Sequence, residues 1–151
     1  MDIEGKIGII TGAASGIGRA AAIELQKHKI AAIALVDLSD GIVELAKELN
    51  RMRGNTIAIP FQGDATDHDF RKHVFNHMRE NYGAVNICVP AAGITRDALA
   101  VKLNKEKGTA NIYPIENFRQ VVEVNLIAPT YWALEMVAQL AESRFSKGLK
   151  K

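Results

Sequence analysis

Cysteine is nearly absent: Cys88 is the single one in 151 residues. One thiol cannot close an intramolecular disulfide, and its place in an apolar run points to a buried, reduced side chain in a cytosolic setting. Long hydrophobic runs are also missing. The longest, Ile30 to Val36, is far shorter than the roughly 20 residues a spanning helix needs. No apolar stretch follows Met1-Asp2-Ile3-Glu4, so neither a signal peptide nor a membrane span is expected. Charge of one sign is scarce too, with 19 Lys plus Arg against 17 Asp plus Glu and a net charge of +2. That excess is too small for binding driven by nucleic-acid phosphates. Internal repeats and low-complexity segments are absent.

What is present is a composition of 48% hydrophobic and 24% charged residues, enough to bury a core in one domain over 1–151. Four short apolar runs of strand length recur: Ile7 to Thr11, Ala31 to Val36, Thr56 to Phe61 and Val85 to Pro90. Between them, Ile17, Ala21 and Leu25, then Ile42, Leu45, Ala46 and Leu49, then Phe70, Val74 and Met78 have one-face helical spacing. Ser39 or Asp40 can cap the second helix, and Thr66 with Asp69 forms a capping-box pattern for the third. Alternating strands and helices predict an α/β, Rossmann-like doubly wound parallel sheet. The second and fourth runs, apolar throughout, suit strands covered on both faces. Pro60 puts the third strand at an edge, giving the order 3-2-1-4. Residues 94–114 lack a period and read as a long loop beyond the fourth strand. A helix follows from Ile115 into the 140s, with Phe118, Val121, Val122, Leu126, Met136, Val137 and Leu140 as its buried stripe and a bend at Pro129. The basic tail from Arg144 to Lys151 reads as a solvated end.

The segment Thr11-Gly12-Ala13-Ala14-Ser15-Gly16-Ile17-Gly18 lies between the first strand and first helix. Glycines there allow a tight turn, close approach to a diphosphate and close helix packing, and the helix N-terminus favours the anion. A plain glycine-rich turn is the alternative. Asp37 ends the second strand, where a carboxylate accepts from ribose hydroxyls and repels a 2′-phosphate; Leu38 beside it is a further cofactor contact. Ser15 stands where a base would serve that phosphate. Both point to NAD(H) over NADP(H).

Thr11-Gly12-x-x-x-Gly16-x-Gly18, Asp37, Gly63-Asp64-Ala65-Thr66-Asp67, Ala92-Gly93-Ile94-Thr95 and Val124-Asn125-Leu126 together resemble a short-chain dehydrogenase/reductase. Ala92 to Asp97 is similar to the 3-oxoacyl thioester reductase branch. The resemblance covers essentially the whole chain and implies hydride transfer between NAD(H) and a secondary alcohol or ketone. It implies that Asp64 and Ala65 contact adenine, that Ala92 and Gly93 line the cofactor, and that Asn125 supports a proton relay. It also implies a homo-oligomer when complete.

Two departures stand out. Pro90-Ala91-Ala92-Gly93 replaces the family's Asn-Asn-Ala-Gly, removing two amide side chains and one backbone donor. The family's Tyr-x-x-x-Lys is missing: Tyr82, Tyr113 and Tyr131 are followed four residues on by Asn86, Asn117 and Glu135. The family's catalytic serine follows a fifth strand, so the resemblance implies the N-terminal, cofactor-binding part of a longer enzyme, inactive alone, its sheet incomplete on the C-terminal side. The alternatives are an inactive dinucleotide-binding or interaction module and, last, a methyltransferase, whose loop follows an acidic-x-Gly-x-Gly pattern instead. His73 and His77 share a helix face but have no third ligand, so no metal is expected. Tyr131 and Trp132 suit packing or oligomer contacts. An unpaired apolar fourth strand predicts that the 151-residue product is poorly soluble or self-associates; a monodisperse, stable monomer in sedimentation would contradict this.

Overall fold

The computed structural model describes residues 2–52 and 56–148. Its aliphatic runs form β1 (Ile7–Thr11), β2 (Ala32–Asp37), β3 (Ile57–Gln62) and β4 (Ile87–Pro90), alternating with α1 (Gly16–Lys27), α2 (Gly41–Arg51) and α3 (His68–Asn81). Every pairing among these strands is parallel and the order is β3-β2-β1-β4. Successive side chains of β2 alternate between two cores. Ile33 and Leu35 meet α1 and α2 residues such as Ala22, Ile42 and Leu45 on one face. Ala32, Ala34 and Val36 meet Val74, Phe75, Met78 and Trp132 on the other. Pro60 sits on edge strand β3 opposite Leu35 in unbroken register, where its missing N–H faces no partner strand. Strand β4 is the other edge among the described residues. Its Cys88, Val89 and Pro90 are only half-buried, which corrects the expectation of full cover, because only β1 pairs with it.

Two helix starts differ from the sequence pattern. Asp67 caps α3, its Oδ1 accepting the N–H groups of Asp69 and Phe70 at 2.8 and 2.9 Å. The Thr66–Asp69 box does not form, because Thr66 lies one residue too early and instead donates from its N–H and hydroxyl to Asp64 Oδ1. At α2 it is Ser39 that accepts the Gly41 N–H, at 3.2 Å, while Asp40 makes no side-chain cap bond.

The long loop contains an antiparallel hairpin, β5 (Val101–Asn104) and β6 (Thr109–Ile112). Its turn is built by Asn104, whose Oδ1 accepts from the Glu106 and Lys107 N–H groups, and by Gly108 at φ +61°. Nearly every residue of the hairpin is exposed, so no inside-outside alternation marks it in the sequence.

The long helix is α4 (Ile115–Val122), a π turn over Glu123–Ile127, and α5 (Ala128–Ser146). Pro129 is the second residue of α5, directly after the π turn, so the irregularity expected near the proline falls at that turn. The π turn adds a residue per turn, so a single 3.6-residue stripe cannot run through it. Phe118, Leu126 and Val137 are 57%, 61% and 57% exposed; α4 and the π turn bury no residue at all, and the buried residues of α5 are Ala128, Trp132 and Gln139. Trp132 stacks obliquely on Phe75 at 5.6 Å. Of the basic tail, Leu149 to Lys151 lie outside the described residues. No helix among the described residues is long and apolar enough to cross a membrane.

Burial pushes the Cys88 thiol up from 9.0 to about 12. Since folding favours the protonated form, this group costs nothing below pH 9.0 and subtracts stability as pH climbs toward 12. The thiolate that reacts with alkylating agents is therefore scarce at pH 8. Iodoacetamide should label native Cys88 roughly a hundredfold more slowly than the urea-unfolded chain, and equal rates would contradict this placement.

Candidate functional site

The carboxyl ends of the strands converge on the glycine turn. Gly12, at φ +66°, takes a left-handed conformation that a side chain resists. A Cβ there would also stand 2.8 Å from Ala92 Cα and N. One on Gly18 would overlap the Gly12 carbonyl oxygen, so α1 lies directly against the end of β1. Gly16, at φ +52°, faces open space instead. Thr11 bridges to the chain after β4: its carbonyl accepts the Ala91 N–H at 3.2 Å and its hydroxyl accepts the Ala92 N–H at 3.1 Å. These bonds hold β1 to the Pro90-Ala91-Ala92 segment despite the missing amide side chains.

Around this turn opens a cleft of ≈ 580 Å³. At its floor, Ser15 occupies the N-cap of α1 without a side-chain cap bond, and the first turn has no acidic residue. Its N–H groups and the helix dipole are thus available to an anion. Asp37 is fixed at the rim: Oδ2 accepts the Ala14 N–H and Oδ1 the Ser39 N–H, both at 3.0 Å. Each oxygen keeps a lone pair for a further donor. Ile17 and Leu38, exposed at 80% and 67%, are apolar side chains on the cleft wall. Asp64 and Ala65 form the wall beyond Asp37. The Ala65 carbonyl accepts the Trp132 indole N–H at 2.8 Å.

At the other end lie Ala92 and Gly93, then Ile94, whose backbone Asn125 grips twice. The Asn125 Oδ1 accepts the Ile94 N–H at 2.9 Å and its Nδ2 donates to the Ile94 carbonyl at 2.8 Å. Asn125 sits in the π turn, so the helix irregularity aims an amide at the loop after β4. A second cavity of ≈ 570 Å³ lies next to the first, mostly apolar, with Ile112, Ile115, Phe118 and Val121 in its wall. Ile94 and Arg96 border both.

The structure brings Gly12, Ser15, Gly16, Ile17, Asp37, Leu38, Asp64, Ala65, Ala92 and Gly93 into one cleft. Gly18 lies behind it as a packing residue, and Asn125 borders the neighbouring cavity. Gln120, Val124 and Arg96 also line the cleft; none of them was assigned a role from sequence, although Val124 and Arg96 lie within stretches that carry the family resemblance. Gln120 and Val124 arrive through the helix after the hairpin, and no motif marks Gln120. Tyr113 donates from its hydroxyl to the Arg96 carbonyl at 2.5 Å, while Tyr131 lies under the Arg71 guanidinium at 5.4 Å. His73 and His77 pack edge-on against Phe61. Among the described residues no cluster of three metal-ligating side chains occurs.

A parallel sheet ordered 3-2-1-4, with a glycine turn opening into a cleft at its carboxyl edge, defines a Rossmann-type doubly wound α/β fold. Residues 6–148 match the short chain dehydrogenase family, and the chain belongs to it. The 3-oxoacyl-acyl-carrier-protein reductase FabG of Thermotoga maritima is 35% identical over 126 residues, covering 81% of this chain and 50% of that protein. The 3-hydroxyacyl-CoA dehydrogenase type-2 of Rattus norvegicus is 33% identical over 137 residues, 90% of this chain and 48% of that protein. This chain therefore spans about half the length of these curated relatives. Among solved structures, a short-chain type dehydrogenase/reductase from Mycobacterium marinum superposes with a TM-score of 0.74 at 24% identity, covering 94% and 53% of the two chains. An oxidoreductase structure from Haemophilus influenza that contains bound NAD gives 0.72 at 25% identity, covering 89% and 51%.

The two helix glycines should respond differently to a methyl group. Gly18→Ala must separate α1 from β1 and should cost about 3 kcal/mol, whereas Gly16→Ala meets no atoms and should cost only the left-handed penalty of about 1 kcal/mol. Urea unfolding measures both, and equal losses would contradict the packing described.

Proposed function

We propose that this chain is the dinucleotide-binding part of an NAD(H)-dependent oxidoreductase that interconverts a secondary alcohol and a ketone. The observation that carries it is the joint placement of an uncapped helix N-terminus, an open Gly16 and the fixed Asp37 carboxylate around one cleft. These residues fit the cofactor. The α1 amides and Gly16 suit a diphosphate, and Asp37 suits a ribose diol. Ile17, Leu38 and Ala65 offer apolar surface to adenine. The nicotinamide cofactor supplies or accepts the hydride when bound. The chain's own residues bind and orient it. Asp37, already held by two N–H groups, accepts from the ribose hydroxyls and opposes the charge of a 2′-phosphate, which favours NAD(H) over NADP(H). By its two hydrogen bonds to Ile94, Asn125 keeps the loop after Gly93 rigid at the junction of the two cavities. The apolar second cavity suits the body of the alcohol or ketone. Relatives named for 3-oxoacyl and 3-hydroxyacyl groups support that chemistry.

The Tyr-x-x-x-Lys spacing does not occur in these 151 residues, so the proton donor for the ketone is not assigned to this chain. The reading also includes a cytoplasmic, homo-oligomeric protein.

Asp37→Asn keeps an acceptor for one backbone amide but removes the charge. Titration calorimetry should show NADH binding about tenfold weaker and the preference over NADPH narrowed. Unchanged affinities for both would remove Asp37 from the site.

A further inference from the structure

We infer that Trp132 is a positioning residue for the adenine end of the cleft. The inference rests on the dinucleotide reading above. Trp132 is the single tryptophan of the chain and is completely buried. Core packing alone would be served by Phe or Leu. Trp132 does more: from α5 its Nε1–H reaches across to the carbonyl of Ala65 at 2.8 Å, a residue of the cleft wall. An indole N–H is a donor only, and buried inside a protein it needs one acceptor. Here that acceptor belongs to the strand-to-helix connection that carries Asp64 and Ala65.

The connection is otherwise held locally. Asp64 Oδ1 accepts twice from Thr66 at 2.8 Å, and the Asp67 N–H donates to the Asp64 carbonyl at 3.1 Å. Such short-range bonds shape the turn but do not fix its position against the sheet. The Ala65 side chain packs against the core that holds Trp132, and two hydrogen bonds reach outward. The Gly63 N–H donates to the Asp37 carbonyl at 2.9 Å, which sets one end. The indole sets the other.

Helix α5 is itself tied to α3. Arg71 of α3 points toward Glu135, with Nε to Oε2 at 3.8 Å, and both side chains are largely buried. Gln139 Nε2 donates to Asn76 Oδ1 at 3.3 Å, and the Trp132 ring lies against Phe75. The spacing between Asp37 and Ala65, and hence the width available to an adenine, is set through α5. Breaking the indole bond leaves a carbonyl without its partner and releases the wall.

Two measurements on the full chain test this. In ¹H–¹⁵N spectra of the native protein, the single indole resonance should shift on titration with AMP and stay still with inorganic diphosphate. Trp132→Phe retains the ring packing; calorimetry on the folded variant, verified by circular dichroism, should show AMP and NADH each about fivefold weaker, with diphosphate unchanged. A merely structural tryptophan would lower the melting temperature and leave AMP affinity intact. That result, or an indole resonance indifferent to AMP, overturns the assignment to Trp132. Should the variant not fold, the indole titration of the native chain decides. Native protein that binds neither AMP nor NADH overturns the dinucleotide reading itself, and so the two failures are distinguishable.

Discussion

The contact between Gly12 and Gly18 governs the geometry of the molecule. Because neither residue carries a Cβ, the first turn of α1 rests on the end of β1 at Gly12, and Gly12 in turn lies against the backbone of Ala91 and Ala92. From that closeness follow the position of the α1 N-terminus, the gap between β1 and β4 at their carboxyl ends, and the opening of the cleft. A side chain on Gly18 would force the helix away from β1, so that its free N–H groups no longer point into the same volume as Asp37, and one on Gly12 would push against the chain after β4.

A second constraint acts through Asp37. Its two carboxylate oxygens accept from residues on both sides of the cleft floor, Ala14 in the glycine loop and Ser39 before α2. A group placed at a strand end for its charge thus also joins the first two strand-to-helix connections. Rigidity of this kind lowers the ordering cost of binding. At the far end, the π turn does for the loop after β4 what Asp37 does here. It departs from regular helix geometry and aims the Asn125 amide at both backbone groups of Ile94. Helical irregularities of this type often accompany functional sites.

How much of this could be read in advance depended on how local each signal was. The strand order and the glycine cleft were legible, since apolar runs, Pro60 and Gly12-x-x-x-Gly16-x-Gly18 each act within a few residues of themselves. The hairpin over Val101–Ile112 was not, because both its faces are exposed and no burial imprints an alternation. The stripe of the last helix misled for another reason. Leu126 and Val137 obey a 3.6-residue period that the π turn interrupts. The cap of α3 shifted from Thr66 to Asp67, because a carboxylate at 67 reaches two amides at once. The Trp132–Ala65 bond joins residues 67 apart in sequence, and no short motif announces such a pair.

The central claim is that the glycine turn, Asp37 and the Asp64–Ala65 wall act together as a dinucleotide site. Its most direct test is a backbone-amide NMR titration of the chain with NADH. The account predicts saturable shifts of the amides of residues 15–18, 37–38, 64–65 and 92–93, all fitting one dissociation constant, while residues 101–112 of the hairpin remain unmoved. Shifts confined to the hairpin, or none at saturating NADH, would contradict it.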